Sequence, residues 1–418
     1  SILQIENVRY THLYKEVGKV LILTMKEVNR YKVISEVIKG YLKVEDAARS
    51  LNRSQRQVYR IKAAVLKEGA KAVIHKNKVK RGPRWLTDKV KAKIKYLYQT
   101  KYQGFNITHM TEFLNEEEKI KTSRESVRQA LIEAGLYAKW KKHPKHRSWR
   151  EPRSREGQML QFDTSDHDWL EGRGPKLNLI GGVDDATSNC PGARFALSDS
   201  CIENMRVLKR IVETKGIPLS FYCDKDSNFK VNRPKDIQHE LEGKDYVLSQ
   251  IGRALEELGV EVIYANSAQA KGRVERAWGT FQDRLCSELR LHKISTPHGA
   301  NHYLLEEFLP KHNRKFAHPA KEPGSAYRLV PKGLNLNNAF CIKEERTVAP
   351  DNTISYNSKY YQLLPDEYRI SFTKAKVMVH EWLDSSIHIF YKGKELKNKL
   401  IPKVRYKNKE TALLIANY

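Results

Sequence analysis

The apolar positions of the chain follow three different rhythms. Through the first third they recur every three or four residues, the spacing of amphipathic helices. Residues 44–51 form one short helical pattern and a tight turn follows. A second pattern runs from about 54 to 66, with Ser54 placed to cap it. Ala47, Ala48, Leu51, Val58 and Ile61 fall at the spacings that hold together the two helices of a helix-turn-helix. Gly82-Pro83-Arg84-Trp85 breaks the pattern. Three further helices are expected at 87–100, capped by Thr87, at 107–118, and from the capping-box start Thr122-Ser123-Arg124-Glu125 to Gly135.

From 158 the rhythm changes to short alternating or continuous apolar runs separated by amphipathic segments. They predict the order strand, strand, strand, helix, strand, helix, strand, helix, with strands at 158–163, 177–184, 193–197, 219–224 and 260–264. The helices are expected at 201–215, 246–258 and from 269 onward. A third rhythm begins near 340, where alternating β-rich runs around 354–356, 360–363, 377–379 and 387–390 predict a small five-strand barrel. His298 and His302 have helical metal-ligand spacing, but Pro297 and Gly299 interrupt it, so no site is expected there.

Charge changes this picture most. The 418 residues carry a formal net charge of +27. The first 157 residues hold 37 basic and 16 acidic side chains and so account for +21 of it. Such an imbalance predicts a polyanionic partner, double-stranded DNA most simply, because basic side chains displace condensed counterions. Arg53, Gln55, Arg56, Gln57 and Arg60 lie on the outer face of the second helix of the helix-turn-helix, and Arg and Gln read guanine and adenine edges. The bland alternative is a solvated helix face. Arg124 and Arg128 are expected on the exposed face of the last helix of the second module. Residues 139–157 read as a basic linker along phosphates, with Lys141, Lys142 and Arg147 as contacts; the pair His143 and His146 has no cysteine nearby to complete a zinc site. Five scattered cysteines without a Cys-x-x-Cys pair argue against a disulfide framework and for a reducing, cytoplasmic setting. The run Val20-Leu21-Ile22-Leu23 is too short to span a membrane.

Three carboxylates stand out. Asp163 and Asp224 each close a short strand pattern, and Glu275 opens a long helical one. Two strand-end aspartates and a helical glutamate make an oxygen-only ligand set suited to Mg²⁺. Lys271 lies one helical turn before Glu275; it suits either a salt bridge or a substrate phosphate, and Arg273 and Arg276 suit the DNA backbone. Glu256, Glu257 and Glu261 compete with Glu275 for the third place. Asp184 and Asp185 read as turn residues or peripheral metal ligands, and Asp166, His167 and Asp168 as loop support or DNA contacts.

Four ordered blocks carry a resemblance. They are Gln161-Phe162-Asp163 with His167-Asp168-Trp169-Leu170, then Val183-Asp184-Asp185-Ala186-Thr187, then Tyr222-Cys223-Asp224-Lys225, and finally Gln269-Ala270-Lys271-Gly272-Arg273-Val274-Glu275-Arg276. This stretch resembles the integrase-type, ribonuclease H-like catalytic core of DDE transposases, among them the bacterial insertion-sequence transposases of the ISNCY group. The resemblance implies that Asp163, Asp224 and Glu275 bind Mg²⁺, for which Mn²⁺ substitutes. The separation of 51 positions from Asp224 to Glu275 exceeds the family's usual spacing, and a polar insert at 228–245 accounts for the excess.

The expected protein is therefore multidomain. It has an extension of unassigned role at 1–25, all-α helix-turn-helix modules at 26–80 and 81–138, and the basic linker at 139–157. An α/β ribonuclease H-like core follows at 158–292, then a helical connector at 293–335, a β-barrel at 336–391 and a basic tail at 392–418. The resemblance implies a transposase that binds the terminal inverted repeats of an insertion sequence, cleaves at the element ends and joins the 3′ ends to target DNA. It further implies a homodimer or larger oligomer on paired DNA ends and a bacterial, nucleoid-associated location. A non-catalytic DNA-binding regulator and a purely hydrolytic nuclease of the same fold are the competing classes.

Overall fold

A computed structural model of the chain describes residues 11–16, 19–74, 86–138, 150–229, 248–265, 272–365 and 369–402. The chain divides into two compact units, 1–92 and 93–418.

In the first unit, a hairpin of β1 (Thr11–Glu16) and β2 (Lys19–Thr24) leads directly into α1 (Met25–Lys39). Helix α2 (Val44–Leu51) ends at Asn52, whose left-handed φ of 49° makes the turn. Helix α3 (Gln55–Glu68) begins where Ser54 Oγ accepts from Gln57 N at 3.3 Å. Ile34, Ala47 and Val58 are fully buried in a shared core, and Leu23 at the end of the hairpin joins them. The extension thus contributes to the helical core it precedes.

Helix α4 (Asp88–Thr100) runs through the division at 92, and the second unit continues with α5 (Ile107–Glu116) and α6 (Arg124–Glu133), capped by Asn106 and Ser123. The central sheet follows. Its strands β3 (Met159–His167), β4 (Leu177–Asp184), β5 (Gly192–Ala196), β6 (Ser220–Cys223) and β7 (Glu261–Tyr264) stand in the order β5-β4-β3-β6-β7. The first three form an antiparallel meander, while β6 and β7 add in parallel on the other side of β3. Helices α7 (Cys201–Lys215) and α8 (Gln250–Glu257) pack on one face with Leu160, Phe162 and Phe221. Helix α9 (Gly272–Leu291) and the connector α10 (Pro297–Tyr303) and α11 (Leu309–Phe316) cover the other through Trp278, Phe281 and Phe308.

The C-terminal region corrects the barrel expectation. After α12 (Leu336–Ala339) come β8 (Cys341–Thr347), β9 (Thr353–Tyr356), β10 (Lys359–Leu363), β11 (Lys376–Trp382), β12 (Ile387–Tyr391), β13 (Lys394–Leu396) and β14 (Asn398–Ile401). They form a four-stranded sheet, β13-β12-β11-β8, and a three-stranded one, β14-β10-β9, around a common core that includes Val379, Ile389 and Phe372. Among the described residues no closed barrel forms. The chain crosses between sheets at Lys397, so β13 and β14 lie inside the stretch expected as tail; β8 and β9, at the other edges, pair in different sheets. The two sheets meet through side chains, a layered arrangement that alternation alone does not distinguish from closure.

Candidate active site

Strand β3 turns alternate side chains to opposite faces, so Gln161, Asp163 and Ser165 share the α9 side while Leu160 and Phe162 join the opposite core. In the parallel pairing of β3 and β6, Gln161 stands opposite Tyr222. Carrying that register on by two residues places Asp163 beside Asp224 on neighbouring strands, whose spacing is about 4.8 Å. Both are half-buried, and Asp224 Oδ1 accepts from Asp226 N at 3.1 Å.

Helix α9 is tied to this face twice. Val274 N donates to Gln161 Oε1 at 3.2 Å, and Gln282 Nε2 to Ser165 Oγ at 3.0 Å. The two ties bracket Asp163 along the strand. Glu275, exposed in the first turn, is seven residues from Gln282, about two full helical turns, and so lies in line with it. Gly181, paired with Asp163, makes this approach possible: a Cβ there would stand 2.9 Å from Trp278 Cη2. The donor set consists of hard carboxylate oxygens, which suits Mg²⁺ in chemistry. Among the described residues, no three His, Cys, Asp or Glu side chains are grouped closely enough to hold a metal ion.

The competing glutamates stand elsewhere. Glu257 pairs with Arg253 at 2.8 Å and with Lys343 at 2.7 Å, on the α8 face. Glu256 is exposed near the end of α8, and Glu261 opens β7 level with Ser220, at the opposite end of the strands from Asp224.

Two buried aspartates close this end of β4. Asp184 accepts from Gly157 N (2.7 Å), Ala186 N (3.1 Å), Thr187 N (2.9 Å) and Thr187 Oγ1 (2.8 Å). Burial pushes its pKa above the usual carboxylate range, although these donors act in the other direction. Asp185 accepts from Arg150 Nη2, Arg153 N (2.8 Å), Gln161 Nε2 (2.6 Å) and Arg273 Nε (2.8 Å). Burial alone would raise its pKa, but the Arg150 and Arg153 donors and the Arg273 charge outweigh that and hold it low. Arg273, expected at the DNA backbone, is turned inward, with Nε on Asp185 and Nη2 on the Arg150 carbonyl. The role of Gln161 was not legible; its signal is a polar residue at a core position of the strand that carries Asp163.

Arg276 is exposed. Asp166, His167 and Asp168 are exposed too; Asp168 Oδ1 accepts from Gly172 N at 3.2 Å, and His167 packs edge-on against Trp169. Lys141, Lys142, Arg147 and Lys271, the His143 and His146 pair, and most of the 228–245 insert lie outside the described residues.

In the first unit, Arg53, Gln55, Arg56, Gln57 and Arg60 are all exposed around the start of α3. In α6, Arg124 is exposed, whereas Arg128 is half-buried and forks Glu125 through Nε (2.8 Å) and Nη2 (2.5 Å). The second helical module has a further use that its sequence did not announce. His109 and Glu112 of α5 pair with Glu288 (2.8 Å) and Arg284 (2.7 Å) of α9, and a cavity of about 710 Å³ opens beside them, near the far end of the helix from Glu275.

Among the described residues no helix is long and apolar enough to cross a membrane. No family model matches the chain. It is 32% identical over 387 residues to "Putative transposase y4bF" of Sinorhizobium fredii, covering 91% of this chain and 82% of that one. It is 29% identical over 414 residues to the transposase for insertion sequence IS1202 of Streptococcus pneumoniae, covering 89% and 87%. Among solved structures it matches a simian T-cell lymphotropic virus intasome in complex with PP2A regulatory subunit B56 gamma, at 12% identity and a TM-score of 0.31 over 75% of this chain and 100% of that one. It also matches the Mos1 transposase paired-end complex with left transposon end, at 13% identity and a TM-score of 0.18 over 70% and 97%. These sequence matches, which span most of each chain, assign it: the chain belongs to a family of transposases.

Proposed function

We propose that this transposase is a DDE enzyme with a ribonuclease H-like core, in which Asp163, Asp224 and Glu275 hold the catalytic metal. The observation that carries the reading is the β3–β6 register, which sets Asp163 and Asp224 side by side beneath the helix bearing Glu275. The strand and helix order of the core and the meander before β6 are those the resemblance calls for. Mg²⁺ or Mn²⁺ bound there supplies activation of a water or 3′-hydroxyl and stabilisation of the leaving oxygen in an in-line phosphoryl displacement.

The rest falls to the chain itself. Arg53, Gln55, Arg56, Gln57 and Arg60 read the terminal inverted repeats in the major groove, while the basic 139–157 segment, Arg124 and Arg276 follow phosphates. Lys271 steadies the scissile phosphate. Two element ends must be cut and joined together, so the active form is a homodimer or larger oligomer on paired ends, with target DNA as the second substrate.

The test uses full-length protein, Mg²⁺ and oligonucleotides bearing the terminal repeats. Asp163→Asn abolishes nicking and strand joining and leaves repeat binding intact; joining at the wild-type rate overturns the metal assignment. Repeat binding by the wild-type protein without any strand chemistry would make it a regulator, and nicking without joining a nuclease.

A further inference from the structure

Beside the proposed metal site lies a buried polar network centred on Asp185. Gln161 is fully buried, and both ends of its amide are committed: Nε2 donates to Asp185 and Oε1 accepts from Val274 N. The Val274 amide is one of the first four of α9, which have no partner within the helix. The Gln161 side chain therefore caps α9 from another strand. Asp185 fixes which way that amide points, since its carboxylate accepts only from the NH₂ end. The same Oδ1 accepts from Arg273, the residue before Val274. One buried oxygen thus holds the first turn of α9 on two sides, and its negative charge favours a helix N-terminus. Arg150 Nη2 also donates to Oδ1, and Arg153 N donates to Oδ2 of the same carboxylate.

Glu275 is the next residue along, and Asp163 stands two residues past Gln161 on the same strand face. We infer that Asp185, acting through Gln161 and Arg273, is a positioning residue that sets the distance between Glu275 and the aspartate pair and thereby tunes metal affinity. The inference rests on the metal-site reading above. It also gives Arg273 a role in holding the helix in place of contact with DNA.

The experiment measures Mn²⁺ binding to the full-length protein by calorimetry, together with thermal stability and the Mn²⁺ dependence of strand joining. Gln161→Leu removes the cap and is expected to weaken Mn²⁺ binding about tenfold, the scale at which partners of metal ligands act. Its joining rate recovers at saturating Mn²⁺, because the ligands themselves are intact. Arg273→Met, at a site where the side chain is 15% exposed, removes the second hold and shows a smaller shift in the same direction even if Gln161→Leu fails to fold. Unchanged Mn²⁺ affinity in a folded variant, with lowered thermal stability alone, makes the network structural and overturns the inference. Glu275→Gln separates the two levels. If it binds Mn²⁺ like the wild type, the metal site is misassigned. If it loses binding while Gln161→Leu and Arg273→Met do not, only the positioning role fails.

Discussion

Two pairs of aspartates belong to one sheet, Asp184 and Asp185 level with the start of β3 and Asp163 further along it, and they differ in what surrounds them. Asp163, within β3, and Asp224, just past the end of the neighbouring β6, are both half-buried. Asp184 and Asp185 are fully buried after β4, and every donor around them comes from the protein. A carboxylate deprived of water is tolerated only when hydrogen bonds or opposite charges replace its hydration. The second pair meets that condition and is committed to holding the segment 150–157, β3 and α9 together. The first pair keeps solvent access, which a ligand for metal and phosphate requires. Four identical side chains are thus sorted by their neighbours into two that keep solvent access and two that are sealed.

The sharpest way to break this division is to neutralise one member of each pair. Asp163→Asn is expected to lower strand joining by about 10²–10³-fold or more with little change in a urea melt; a large loss of stability would place Asp163 with the scaffold. Asp185→Ala leaves Arg150 and Arg273 facing an empty position and is expected to cost about 3–5 kcal/mol of stability. A variant as stable as the wild type would show that the network contributes little.

A subtler effect separates the two scaffold residues from each other. The folded-state pKa of Asp185 is lowered, so its stabilisation is present above the usual value of 3.8 and is lost as pH falls through its depressed value. That of Asp184 is raised, so the folded state gains from its protonation, and this gain disappears as pH rises from 3.8 through its elevated value. Asp185→Asn therefore flattens the acid limb of a stability–pH curve, whereas Asp184→Asn flattens the fall above pH 3.8. Identical curves for the two variants would remove the distinction. The smallest effect concerns the exposed face of α3: Arg56→Ala with Arg60→Ala should weaken repeat binding and reduce its salt slope by about 2 if both reach phosphates, as read from binding titrations over a range of salt. An unchanged slope moves recognition elsewhere.

Much of this was legible before any coordinates. The strand and helix order from 159 to 291 follows from period-2 and period-3.6 patterning, and the boundaries of α7 and β4 coincide with their sequence patterns. Ser54 and Ser123 cap the helices that their positions announce. The barrel was not legible, because alternation marks a strand's faces and says nothing of which edge it pairs with. The inward turn of Arg273 was hidden for a related reason: an arginine after a glycine in a basic helix looks solvated until the strand beneath it is known. The pairing of His109 with Glu288 joins residues 179 apart, and no local pattern reports such a contact.

What the sequence determined by itself is therefore the local content. It supplied the basic N-terminal third, the capped helices and the strands of the core, because propensity and periodicity act over a few residues; of the three carboxylates, Asp224 follows its strand and Glu275 opens its helix as expected, whereas Asp163 falls in the middle of β3 because that strand runs on to His167. The tertiary structure decided which acids face one another and which are sealed, and it made a buried glutamine the cap of a helix more than a hundred residues away. Those outcomes depend on register and burial, and both are set only when distant segments pack.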